Sequence, residues 1–173
     1  ERKNKTENEQ VTQEEIIKKV VTALEKNKIS YMLTGAIAVS YYGRPRFTHD
    51  VDLVVQIRLE NAERVVDLFK GEFYVALEGI IDAVEHSTMF NLIHPETGIK
   101  VDCWLLKDKE YDQLSFSRRR KETIFDQEMH VSSPEDLIIA KLDWYKQSDI
   151  QKHYEDVLGI FEIQQGKLDI DYL

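Results

Sequence analysis

Asp50 and Asp52 stand one residue apart in Arg46-Phe47-Thr48-His49-Asp50-Val51-Asp52-Leu53-Val54-Val55. The β-branched run that starts at Val51 reads as a buried strand, on which side chains alternate in direction. Both carboxylates therefore emerge on one face, while Val51 and Leu53 point the other way. Two such groups repel, and one keeps its proton unless a cation is present; a divalent ion bridging them removes the conflict. At a rise of about 3.3 Å per residue their Cα atoms lie about 7 Å apart, close enough to hold ions about 4 Å apart. Oxygen-only ligands with open positions suit Mg²⁺ or Mn²⁺ rather than zinc. An isolated Asp-x-Asp is more often a strand end with two solvated acids, so the surrounding residues decide. A third acid strengthens the reading. Asp102, in Lys100-Val101-Asp102-Cys103-Trp104, projects from an apolar strand on the face opposite Val101 and Cys103, where a carboxylate is costly unless paired or bound to an ion. An ion pair with Lys100 is not expected here, on the argument that adjacent strand residues point apart.

The elements that must carry these residues are legible in outline. Thr12 and Glu15 have capping-box spacing, and Ile16, Ile17, Val20, Val21 and Leu24 recur at helical period, predicting an amphipathic helix over 13–27. A short strand follows over 29–34. Gly35 marks the passage into a helix over 36–42, stopped by Gly43. Backbone N–H groups at such a helix start form a seat for phosphate, although one glycine after a strand also reads as a plain turn. A loop over 44–49 leads to the carboxylate strand, 50–56. Helices are expected over 61–70 and, more weakly, 77–86. Strands over 89–94 and 99–106 are joined by Pro95-Glu96-Thr97-Gly98, with glycine at a positive-φ position. The segment 110–121 reads as helical and 123–131 as one extended stretch. Ser133 caps a helix that opens on Pro134, has Asp136 completing the box and runs to about 146; a last helix covers 149–164, and 168–173 makes a final turn.

A chain of 173 residues holds one domain with a core and a small helical appendage. The expected division is a flexible lead-in over 1–11, an α/β unit over 12–131 and a helical section over 132–173 packed against it. The net charge of −9 argues against indiscriminate binding of nucleic-acid backbones. No apolar stretch approaches the length of a membrane span, and Glu1 to Gln10 are the opposite of a signal peptide in character. The single cysteine, Cys103, suits a reducing cytoplasm. Arg118-Arg119-Arg120-Lys121 reads as a solvated helix C-terminus, the five histidines lack metal-ligand spacing, and Trp144-Tyr145 reads as core rather than as a base-stacking platform.

Leu33-Thr34-Gly35-Ala36, then thirteen residues, then Asp50-Val51-Asp52-Leu53 resembles the signature of the nucleotidyltransferase (polymerase β-like) superfamily. Arg46 and Thr48 match what minimal bacterial and archaeal members show. Phe90 to His94 with Thr97 to Asp102 looks like their hairpin bearing the third acid. Ser133 to Leu142, followed by Asp156-Val157-Leu158-Gly159-Ile160, is similar to the C-terminal helices of the AbiEii-type toxin branch. The resemblance runs from about residue 15 to the end. It implies an α/β (α+β) fold, a mixed sheet flanked by helices with C-terminal helices. It also implies Mg²⁺- or Mn²⁺-dependent transfer of an NMP from an NTP to an acceptor hydroxyl on an RNA end, a protein or a small molecule. By that likeness Asp50, Asp52 and Asp102 are the catalytic and metal-binding acids. Gly35, Ala36, Arg46, Thr48 and Lys141 face the nucleotide, and Asp156 is an auxiliary acid. Ala36 departs from the family, which has glycine or serine there, so a hydroxyl contact to phosphate is lost. The rival reading is a non-catalytic module of the same fold, such as the antitoxin-like member of a toxin–antitoxin pair; a third reading is a phosphohydrolase using the same acids.

Overall fold

The computed structural model describes residues 11–173; residues 1–10 of the lead-in expected over 1–11 lie outside them. The first helix, α1 (Gln13–Lys26), begins on a complete capping box: the Glu15 amide donates to Thr12 Oγ1 at 3.2 Å and the Thr12 amide to Glu15 Oε2 at 2.8 Å. Its apolar stripe, Ile16 to Leu24, is buried against the sheet. Then come β1 (Tyr31–Thr34), α2 (Gly35–Tyr42), β2 (Asp50–Val55), α3 (Ala62–Phe69), α4 (Leu77–His86), β3 (Met89–Ile93) and β4 (Lys100–Leu105). Each falls within two residues of its expected place. Gly98 closes the β3–β4 connection at φ +69°, the left-handed conformation its position called for.

The next segment differs from expectation. Helix α5 (Glu110–Ser117) stops before the arginines, and Arg120–Ile124 is a strand, β5, paired antiparallel with β6 (Gln127–Val131). The single extended stretch is thus a hairpin. Its two-residue turn is Phe125-Asp126, at φ 51° and 58°, a pair of left-handed residues. Such turns are usually announced by Asn-Gly or Asp-Gly, and phenylalanine gives no such signal. Helices α6 (Pro134–Ser148) and α7 (Gln151–Ile163) complete the chain. The sheet is mixed, in the order β3-β4-β2-β1-β6-β5. Val51, Leu53 and Val55 alternate inward along β2, and α6 and α7 pack on each other and on α2. No helix among the described residues is long and apolar enough to cross a membrane.

The basic run is not a solvated helix end. Arg120 grips Glu135, which is fully buried in the first turn of α6, from 2.8 and 3.1 Å; Arg118 pairs with buried Asp136 at 3.4 Å and lies 3.6 Å over the Tyr172 ring. The final turn closes on the same acids, with the Asp169 amide donating to Glu135 and the Tyr172 hydroxyl to Asp136. Ser133 caps α6 through the Asp136 amide, but the Asp136 carboxylate returns to the Ser133 hydroxyl rather than to backbone, so the box is half formed. Burial alone would push the Glu135 carboxyl up; the Asp169 amide, its own amide and Arg120 outweigh it and hold the group below its ordinary value. Its contribution to stability is therefore present above the unfolded carboxylate pKa of about 4.3 and is lost as pH falls through the lower folded value. Arg120→Ala should cost about 3 kcal/mol in urea unfolding at pH 7, because it strands a buried carboxylate, and the loss should shrink in acid.

Candidate active site

Strands β2 and β4 run parallel, with Asp52 opposite Asp102 and Asp50 opposite Lys100. β1 sets Thr34 on the other side of Asp52, and β3 sets Asn91 beyond Asp102. Directly opposed residues share a face, so Asn91, Asp102, Asp52 and Thr34 form one polar row across four strands. Asp102 is 9% exposed. Its Oδ1 accepts from Asn91 Nδ2 at 2.5 Å and pairs with Lys100 Nζ at 3.1 Å. The expectation that Lys100 would not pair with it is corrected: the two residues are two apart, not adjacent, so both side chains rise on the same face. Asp52 accepts from Trp104 Nε1 at 3.4 Å. Burial chiefly pushes the Asp52 carboxyl up; Trp104 and Lys141 pull it down, while the negative charges of Asp102 and Asp50 add to the rise.

Gly35 brings backbone onto this acid. It holds φ +65°, and a Cβ there would stand 2.0 Å from Asp52 Oδ2, so only hydrogen fits. Thr34, the N-cap of α2, makes no side-chain cap bond, which leaves the first-turn N–H groups at Gly35 and Ala36 without one beside the carboxylate. Ala36 buries its methyl group in the core.

Helix α6 and the loop before β2 supply the cationic side, and α7 the acid that pairs with it. Lys141, on α6, points its ammonium at Asp156 of α7, 3.2 Å away, and Arg46 holds the same carboxylate from 3.1 Å. Asp156 is buried, so this is an interior clamp that ties the loop before β2 to both helices, not a surface ion pair. Thr48 Oγ1 accepts from the Asp50 amide at 3.2 Å, a local turn contact. Arg46 and Thr48 line a groove of about 380 Å³ with Ser40, Tyr41 and Phe47. A larger cleft of about 590 Å³ brings together Thr34, Gly35, Asp52, Trp104, Lys141 and Trp144. Asp50 is exposed at the mouth of its strand, and Asp102 lies behind Asp52 in the row.

Two tryptophans belong to this cleft that sequence reasoning did not assign. Trp104 lies two positions beyond Asp102, on the same face, a spacing that could have flagged it. Trp144 was expected in the core, yet it is 52% exposed and its ring stacks on His153 at 6.3 Å. Its position one helical turn after Lys141 was the available signal.

Among the described residues no three His, Cys, Asp or Glu side chains form a ready-made metal cage. Nor is Asp50 or Asp52 engaged in an ion pair among them. The two therefore fit a hard divalent cation as oxygen donors, whereas Asp102 would first exchange Lys100 for it.

No protein-family model matches the sequence, and no curated protein matches it. Solved structures do resemble the fold. The antibiotic-resistance factor ANT(2″)-Ia superposes with TM-score 0.60 at 16% identity, covering 87% of this chain and 83% of that one. The same factor, in complex with adenylyl-2″-tobramycin, matches with TM-score 0.59 at 14% identity over 88% of this chain and 89% of that one. The lincosamide antibiotic adenylyltransferase LnuA, lincomycin-bound, gives 0.59 at 15% identity over 88% and 98%. An antigenic nucleotidyltransferase-like protein from Paracoccidioides brasiliensis gives 0.58 at 19% identity over 87% and 74%. The fold is that of nucleotidyltransferases.

Because Asp52 is pushed above the unfolded carboxylate value of about 3.9, the native chain holds the proton more tightly than the unfolded one, and its stability contribution falls as pH rises through that window. Asp52→Asn keeps an acceptor for Trp104 and removes the charge. It should raise the urea midpoint at pH 7 and leave it little changed at pH 3.

Proposed function

We propose that this chain is a metal-dependent nucleotidyltransferase of the polymerase β-like superfamily, moving an NMP from an NTP to an acceptor hydroxyl. The observation that carries the reading is the close approach of Gly35 to Asp52. It sets a carboxylate suited to Mg²⁺ or Mn²⁺ beside a helix start suited to phosphate, in one cleft. Asp50 and Asp52 would hold the cation, which supplies neutralisation of the charge that grows on the phosphate oxygens. The Gly35 and Ala36 N–H groups bind the terminal phosphates, Lys141 offers its ammonium to them across the cleft, and Arg46 and Thr48 shape the loop that delivers Asp50. Asp102 is the third carboxylate, beside the attacking hydroxyl. Asp156 holds Lys141 and Arg46 in place through its ion pairs.

A small-molecule acceptor is the favoured class. The chain's net charge of −9 disfavours a nucleic-acid backbone, and two of the similar proteins are antibiotic-modifying or antibiotic-resistance proteins. A reducing cytoplasm accords with the lone buried Cys103. The second reading, a non-catalytic module of antitoxin-like kind related to the AbiEii-type branch, draws on Lys100, which occupies the cation position at Asp102.

Incubation with α-labelled NTPs, Mg²⁺ or Mn²⁺ and a panel of hydroxylated antibiotics, tRNA and protein acceptors separates the readings. Label should pass to one acceptor class, and Asp52→Asn should lower the rate on the order of a hundredfold or more. Absence of label with every acceptor, together with partner binding that is indifferent to Asp52→Asn, would favour the module; release of phosphate without labelling would indicate hydrolysis. Independently, Lys100→Met removes a positive charge beside the acids and should tighten Mn²⁺ binding about tenfold, read by electron paramagnetic resonance of the free ion.

A further inference from the structure

Helices α6 and α7 meet as an antiparallel pair, and their facing residues form successive rungs beside the cleft. The first rung is ionic, Lys141 with Asp156 at 3.2 Å. The next, one turn further along α6 and one turn back along α7, is aromatic: Trp144 with His153, ring centroids 6.3 Å apart and planes inclined by 30°. One turn of helix is about 5.4 Å. Both rungs line the same cleft as Gly35 and Asp52. His153 covers one side of the indole, yet Trp144 remains 52% exposed, so a large apolar ring is held half open beside a phosphate-sized seat. His153 is itself only partly satisfied, since its Nδ1 is buried without a hydrogen-bond partner.

We infer that Trp144, backed by His153, is the stacking platform for the base of the nucleotide, which makes it a binding residue of the proposed reaction that the acids and Lys141 do not account for. The inference rests on the nucleotidyltransferase reading. With phosphates at Gly35 and Lys141, the base falls one rung away, over the open face of the indole. His153 is kept below its ordinary pKa by burial and by the charge of Lys141, which favours the uncharged ring. Every base has a π-face, so such a platform supplies affinity with little choice among the four bases.

Isothermal titration of the full chain with each NTP and with inorganic tripolyphosphate, in Mg²⁺, tests this. The wild-type chain should bind NTPs about tenfold or more tightly than tripolyphosphate, and Trp144→Ala should abolish that advantage while tripolyphosphate affinity stays unchanged. Trp144→Phe should restore most of it, and His153→Ala should give a smaller loss; as Trp144 is half exposed, thermal melting should remain close to wild type. Unchanged NTP affinity in Trp144→Ala, or an equal fall for tripolyphosphate, would overturn the platform and leave the proposed transfer standing. A wild-type chain that binds neither NTP nor tripolyphosphate would overturn both.

Discussion

Two like charges are forced side by side at the centre of this fold. The parallel register of β2 and β4 sets Asp52 against Asp102, and no neighbouring register relieves it, because a shift of one residue would drive Val51 and Leu53 out of the core. The apolar faces of the strands thus enforce an electrostatic conflict on the opposite face. Much of what surrounds the pair answers it. Lys100 and Asn91 engage Asp102, Trp104 donates to Asp52, the positive charge of Lys141 favours the charged form of Asp52, and the start of α2 comes within contact of the same carboxylate. A cation seat is the chemical use to which such a conflict lends itself, and that is the sense in which the proposed activity follows from the sheet.

The C-terminal helices matter to this site as more than a scaffold. Asp156 is buried and carries two cationic partners, one from the loop that leads into β2 and one from α6. Removing either partner would leave a buried charge under-compensated, so loop, helix pair and acid are held to one arrangement. A second clasp, Arg118 and Arg120 on Asp136 and Glu135, ties the β5–β6 hairpin and the final turn to the base of α6. The helix that presents Lys141 and Trp144 is therefore fixed at its N-terminus by one ionic network and near its middle by another.

What could be seen in the sequence divides along the range of the interactions. Period and capping are local, and Thr12 with Glu15, the stripe from Ile16 to Leu24, Gly98 and the alternation through β2 all appear where they were expected. That Asp50, Asp52 and Asp102 rise on one face of the sheet was likewise visible, since strand alternation is a local rule. Their partners were not. Lys100 needed only a correct count along the strand, but Arg120 finds Glu135 across the junction of hairpin and helix, and Arg46 finds Asp156 across most of the chain. A run of four basic residues looks the same in one dimension whether its charges face water or a buried acid. The Phe125-Asp126 turn failed for another reason: it uses left-handed residues that local preference does not favour, so tertiary pairing of β5 with β6 overrode the signal.

Trp144 shows how these two ranges combine. Its place on α6 is local knowledge, and so is its distance of one turn from Lys141. Whether it is core or surface depends on what α7 puts opposite, and α7 puts His153, a small ring that covers one face only. A larger partner such as leucine or phenylalanine at that rung would have sealed the indole into the interface, as the sequence suggested. Because His153 sits one turn from Asp156, the same helix that clamps the cation also sets how far the tryptophan is covered. The electrostatics of the acid row and the openness of the aromatic rung are thus governed by one helix pair, and a change in the docking of α7 would move both together.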